Sequence, residues 1–119
     1  MLPVIDGVRL ARCVTGRLRE AYPAGAHDVE VMVSPAFTGE AMTRLLRDIA
    51  DAVITADPRC RRLVCAVPEG DLDRVAAAES AGYRYVVDVD LPGEQLSLLV
   101  HEPGWVTRTD MDLDHVPGS

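Results

Sequence analysis

Residues Val29 to Leu46 read VEVMVSPAFTGEAMTRLL, and the reading of this stretch decides the fold. Val29, Val31 and Val33 point one way while Glu30, Met32 and Ser34 point the other, the period-two pattern of a strand. Ser34-Pro35 stops the strand and a short loop leads to Gly39. Met42, Leu45, Leu46, Ile49 and Val53 then recur at three- and four-residue steps, which predicts a helix from about Gly39 to Thr55 with one buried face. A strand that feeds a helix through a glycine turn leaves unpaired amides at the helix start. They point at whatever lies above them, and anions bind there.

Downstream, Asp57-Pro58 ends the helix and Arg62 to Val67 (RLVCAV) reads as a buried strand, followed by a Pro68-Glu69-Gly70 turn. Asp71 is the expected N-cap of a second helix, with Leu72, Val75, Ala76 and Ala81 toward the core and Gly82 at its C-cap. Tyr83, Tyr85, Val87 and Val89 alternate with polar residues, and Leu91-Pro92-Gly93-Glu94 turns into Gln95 to His101, so these two strands are expected to pair as a hairpin. Upstream, Val8 to Thr15 (VRLARCVT) suits a half-buried strand. Val8, Ala11, Val14, Leu18 and Tyr22 also fit a helical stripe, and strand is the preferred reading. Pro23 to Ala26 is a loop by its turn chemistry. The predicted order is strand, strand, helix, strand, helix, strand, strand: an α/β class with one mixed sheet and helices on its faces. After Trp105 the chain loses periodicity, so a single domain over 1–105 and a mobile tail over 106–119 are expected.

The bulk numbers agree with one domain, since 119 residues support one core of ordinary size and not two. A net charge of -7 with scattered arginines repels a phosphate backbone, and five aromatic residues are too few for base-stacking platforms, so nucleic acid is excluded as a partner. No apolar run approaches a membrane span and no signal-peptide pattern opens the chain, which predicts a soluble protein. Cys13, Cys60 and Cys65 are an odd set without metal-like spacing and read as reduced thiols in a cytoplasm.

The element order, with VSPAFTGEAM at the first strand-to-helix turn and AGYRYVVDV after the second helix, resembles the Gcn5-related N-acetyltransferase (GNAT) superfamily. From His27 to Pro103 the chain looks most like the siderophore-biosynthesis acyltransferases. Ser34-Pro35-Ala36-Phe37-Thr38-Gly39, Ala56-Asp57-Pro58-Arg59, Val67-Pro68-Glu69, Ala81-Gly82-Tyr83 and Val89-Asp90-Leu91-Pro92 carry that likeness. The resemblance implies an N-acyltransferase that takes acetyl-coenzyme A or another acyl-coenzyme A as cosubstrate and acylates an amine or hydroxylamine of a small molecule. In the superfamily an Arg/Gln-x-x-Gly-x-Gly/Ala loop cradles the pyrophosphate. Thr38, Gly39, Glu40, Ala41, Met42 and Thr43 stand at those six positions, with Thr38, Ala41 and Thr43 departing from the pattern. The amides of these residues are the expected cofactor-binding groups, and those near Val33 the expected partners of the thioester carbonyl.

The same resemblance places a histidine on the strand before the loop, at Val29 by register, with His27 two residues earlier on the same strand face, and an acidic residue at Glu69. The family's general-acid tyrosine corresponds to Ala78, and its following asparagine to Leu72. The family also has an N-terminal strand and two helices ahead of this region. Their lack implies an open sheet edge and hence a homodimer or a partner protein completing the sheet.

From the residues themselves, His27 suits proton abstraction, with a loop histidine as the alternative. Glu69 suits orienting or deprotonating an acceptor, or is a solvated turn residue. Glu30 is the other candidate base, or a buried or edge carboxylate that merely blunts aggregation. Cys65 reads as a small core residue, and Cys60, among arginines, as a lowered-pKa thiol if exposed. Asp110, Asp112 and Asp114 lack the rest of a calcium loop, and no zinc spacing exists, so no metal is expected.

Overall fold

The computed structural model describes residues 2–23 and 25–102. Its elements are β1 (Val8–Arg12), β2 (Val29–Val33), α1 (Gly39–Ala56), β3 (Leu63–Pro68), α2 (Leu72–Ser80), β4 (Arg84–Leu91) and β5 (Glu94–His101). This is the predicted order, with β1 a strand. The expected tail, with Trp105 and its aspartates, lies outside the described residues.

The five strands form one sheet in the order β1-β2-β3-β5-β4. Only β2 and β3 run parallel, because α1 crosses over between them. β4 and β5 make the predicted hairpin, Leu91 opposite Glu94 across the Pro92-Gly93 turn, where Gly93 takes φ 80. A bulge between Tyr85 and Val87 shifts the register. Tyr85, Val86 and Val87 are therefore exposed on the β4 edge.

Both helices share one face of the sheet. Met42, Leu46, Ile49 and Val53 of α1 and Ala77 and Ala78 of α2 pack on Val31, Leu63, Cys65 and Leu99. The small alanine faces let α2 approach α1 closely enough for the Thr43 hydroxyl to donate to Ala77 O at 2.9 Å. Tyr83 fills the end of this layer, its hydroxyl donating to Leu46 O at 3.0 Å. The opposite face is covered by the β1–β2 connection, whose Cys13, Leu18 and Tyr22 sit on Val64, Leu96, Leu98 and Val100.

Two expectations need correcting. α2 begins at Leu72 as predicted and Val75 and Ala81 pack on the core as expected, but Leu72 is 75% exposed and Ala76 faces out, and Ala77 and Ala78 are buried instead. The Asp71 cap, which accepts the Arg74 N–H at 3.3 Å, sets the phase, and small residues all round left the pattern undecided. Cys60 is not an exposed, activated thiol. It is fully buried and burial pushes it up to about 11; the same cause takes Cys13 and Cys65 to about 12.

Candidate functional site

The parallel pairing of β2 with β3 runs from Val29 opposite Leu63 to Val31 opposite Cys65 and stops there. β2 continues to Val33 and β3 to Pro68 without each other, so the sheet splays open at this end. The gap forms a cleft of about 610 Å³. Met32, Val33, Ser34 and Pro35 line one wall and Ala66 and Pro68 the other, with Arg74 and Arg17 among the remaining lining residues. Clefts beyond the carboxyl ends of parallel strands are where ligands settle in open α/β sheets.

Backbone direction makes one wall reactive. Val29 N–H donates to Arg62 O on the β3 side at 3.1 Å, whereas Ser34 N–H donates to Gly7 O on the β1 side at 2.8 Å. Odd-numbered residues of β2 thus address β3, and a strand residue's N–H and C=O point the same way. Past Val31 no strand answers them. The Val33 N–H therefore looks into the splay, and the Val33 C=O accepts from Arg74 Nη2 at 2.8 Å.

Above this wall lies the N-terminus of α1. Its N-cap Thr38 is extended and makes no side-chain cap bond. The first helical bond is Met42 N–H to Thr38 O at 3.3 Å, which leaves the amides of Gly39, Glu40 and Ala41 without intrahelical partners. Gly39, at φ 54, makes the turn, and an added Cβ there would meet nothing within 4 Å. Met42 and Thr43 do not belong to this free set. The Met42 amide is used and its side chain is buried, while the Thr43 hydroxyl ties α1 to α2. Glu40 swings outward toward Arg44, Oε1 to Nη2 3.4 Å, with its side chain 85% exposed. A groove of about 700 Å³ runs on from Thr38 and Gly39 between the helices, past Thr43, Arg47, Ala77 and Ser80.

The expected bases fall in three different places. His27 lies in a turn before β2, not on the strand, with Asp28 N–H bonded to Gly25 O. At about 3.3 Å per residue it is roughly 20 Å of strand from Val33. There it faces Asp57, Nδ1 to Oδ2 3.5 Å, in a cluster closed by Arg12 Nη2 on the same oxygen at 2.7 Å. Of the two alternatives for Glu30, buried or edge, the structure shows the buried one. Glu30 is 1% exposed, and its Oε2 accepts from Arg17 Nε at 2.9 Å, with Nη2 in ion-pair contact at 2.8 Å. Arg17 also grips Glu94 Oε2 at 2.8 Å, so one arginine spans from β2 to the β4–β5 turn along the cleft. Glu69 stands just past Pro68, exposed and outside the cleft lining, its N–H bonded to Gln95 O at 2.9 Å and its carboxyl turned toward Asp88 of β4. Partial desolvation and the neighbouring Asp88 and Asp90 hold its carboxyl above the ordinary range. Asp88 is held below it, chiefly by the Ser97 hydroxyl at 2.6 Å.

The sequence reading missed Arg17 and Arg74. Arg74 did leave a signal: it sits three residues after the cap, in a helix turn that favours acids. Ala78, at the family tyrosine's position, is fully buried against α1 and offers no proton. Among the described residues no group of three or more His, Cys, Asp or Glu is placed to hold a metal, and no helix is long and apolar enough to cross a membrane.

No protein-family model and no curated protein matches this chain. Solved structures do. The fold is similar to that of aminoglycoside acetyltransferase AAC(6')-Ib in complex with acetyl-coenzyme A, at a TM-score of 0.68 and 14% identity, covering 89% of this chain and 65% of that one. The same enzyme in complex with coenzyme A and kanamycin matches at 0.68 and 14%, over 90% and 67% of the two chains. An uncharacterized protein from Bacillus halodurans matches at 0.69 and 18%, over 80% of this chain and 51% of that one. At such identities the likeness is one of fold, and the chain spans about two thirds of the length of the acetyltransferase it matches. The expected acetyltransferase-type α/β fold is the observed one.

Proposed function

We propose that the chain is an acyl-coenzyme A-dependent N-acyltransferase acting on an amine or hydroxylamine of a small molecule. The observation that carries this reading is the splay of β2 from β3 beneath the uncapped N-terminus of α1. That pairing offers a slot for a thioester and a cradle for a pyrophosphate on one continuous surface. Solved neighbours of the same fold bind coenzyme A.

In this reading the amides of Gly39, Glu40 and Ala41 take the pyrophosphate and the Val33 N–H takes the thioester carbonyl oxygen. The acceptor nitrogen attacks that carbon, the Val33 N–H stabilises the oxyanion, and collapse expels the coenzyme A thiolate, which is then protonated. Glu69, next in sequence to the cleft-lining Pro68 and held above the ordinary carboxylate range, removes the acceptor's proton through water. Glu30 fixes Arg17 and thereby the acceptor wall. His27 has no part, because it lies at the other end of β2.

A cytoplasmic setting follows from the cosubstrate and from three unpaired thiols. Within the same reading, siderophore or related secondary-metabolite biosynthesis is the pathway class, and the apolar β4 edge pairs with a second copy or a partner protein. The test is thiol release from acetyl-coenzyme A with a panel of amines and hydroxylamines. Glu69→Gln should lower kcat about 100-fold, and the wild-type rate should rise with pH through an inflection above the ordinary carboxylate value. No thiol release with any acceptor overturns the reading.

One observation favours a second reading, a catalytically inactive partner-binding subunit of the same fold: the Val33 carbonyl, a backbone group of the slot, is already occupied by Arg74. In that case coenzyme A neither binds nor reacts, and the same assay separates the two.

A further inference from the structure

Arg74 sits in the first turn of α2, where a cation works against the helix dipole. Its guanidinium leaves the helix and crosses the splay, Nη2 donating to Val33 O at 2.8 Å and Nη1 to Phe37 O at 3.0 Å. Both acceptors are neutral carbonyls. They fix the plane of the fork and use two of its five N–H groups, but they leave the charge unmatched.

The nearby carboxylates are engaged elsewhere. Glu30 and Glu94 are both held by Arg17, and Asp71 accepts the Arg74 backbone N–H rather than its side chain. Among the described residues no carboxylate forms an ion pair with Arg74. Arg9, at the cleft mouth on β1, is likewise without one. A half-buried guanidinium with no counter-ion is costly, and a planar fork with free donors matches a carboxylate in two-point geometry.

We propose that Arg74 reads a carboxylate on the substrate of the acyl transfer, so that the reaction joins a carboxylate-bearing molecule to its partner. This rests on the acyltransferase reading above. The carboxylate has two possible carriers, the acyl chain of a dicarboxylic thioester or an acceptor of the amino-acid type.

Two arms distinguish them. In the first, the full chain is titrated with coenzyme A, acetyl-coenzyme A, butyryl-coenzyme A, malonyl-coenzyme A and succinyl-coenzyme A. In the second, thiol release from acetyl-coenzyme A is measured with a panel of amino acids against their carboxamides. The expected result is a preference of about tenfold or more for the carboxylate form in one arm, falling to near one in Arg74→Met. Because each preference is a ratio within one protein, partial loss of folded Arg74→Met does not disturb it. Should that variant fail to fold, Arg74→Lys, which keeps the charge without the fork, should reduce the ratio. Coenzyme A binding with a wild-type ratio of one in both arms overturns this inference and leaves the acyltransferase reading standing. A preference that survives Arg74→Met also overturns it. Failure to bind any coenzyme A species overturns both.

Discussion

At its N-terminal end β2 is laced on both sides, whereas at its C-terminal end it stands apart from β3. The laced end pairs Val29 with Leu63 and with Arg12, Arg12 forms an ion pair with Asp57 beside the His27 ring, and Asp28 accepts from the Gly25 N–H. The open end leaves the Val33 N–H, the first amides of α1 and the Arg74 charge without matching partners. One end of a single strand is paired on both sides and carries an ion pair, and the other presents unsatisfied donors around a cleft. The difference separates what holds the chain together from what it offers a ligand, and substitutions can break the two independently.

The largest stability effect belongs to the laced end. Asp57→Ala should lower the unfolding free energy by about 3 kcal/mol, since it strands Arg12 against a largely buried site. Chemical denaturation checks this, and acyl-coenzyme A affinity of the folded fraction should not move. Gly39→Asp should do the reverse. Space is open around Gly39, so the strain of a left-handed residue costs only about 1 kcal/mol. A carboxylate among the free amides should weaken coenzyme A about 100-fold, measured by titration.

A smaller effect is the pH dependence. Burial pushes Asp57 up, but the Arg12 guanidinium and the Arg59 N–H at 3.1 Å outweigh it and hold the folded-state value below the ordinary one. The stabilisation is therefore complete above about pH 4 and is lost as pH falls through the folded-state value. Thermal melts should show that loss in the wild type, and Asp57→Asn should flatten it. The smallest effect is at Leu72. Leu72→Ser should change stability by less than about 0.5 kcal/mol, because its side chain meets water and not the core.

That last position shows where sequence stops being legible. The element order and the β2–α1 stretch were readable because valine alternation and the Met42 to Val53 stripe are strong periodic signals with a Ser-Pro and a glycine between them. α2 is readable as a helix but only partly in phase, right at Val75 and Ala81 and wrong at Leu72 and Ala76, since its alanines make every face nearly equally small. His27 was placed on β2 because alternation does not mark where a strand begins; the Gly25 to Asp28 turn does, through a backbone bond no pattern reveals. The sequence leaves Glu30 open between a buried and an edge carboxylate, and β1 and β3 on either side of it make it the buried one. Arg17 and Arg74 act through reach, and reach across a sheet is a property of the folded chain. Only Arg74, a cation where a helix prefers an acid, violated a local rule that could have drawn attention to it.

The most direct test of the open end as a coenzyme A site is calorimetric titration of the full chain with acetyl-coenzyme A and desulfo-coenzyme A, with Gly39→Asp as control. The account predicts binding of both at roughly micromolar concentration and its loss in Gly39→Asp. A well-folded protein that shows no heat with either ligand at millimolar concentration would contradict it.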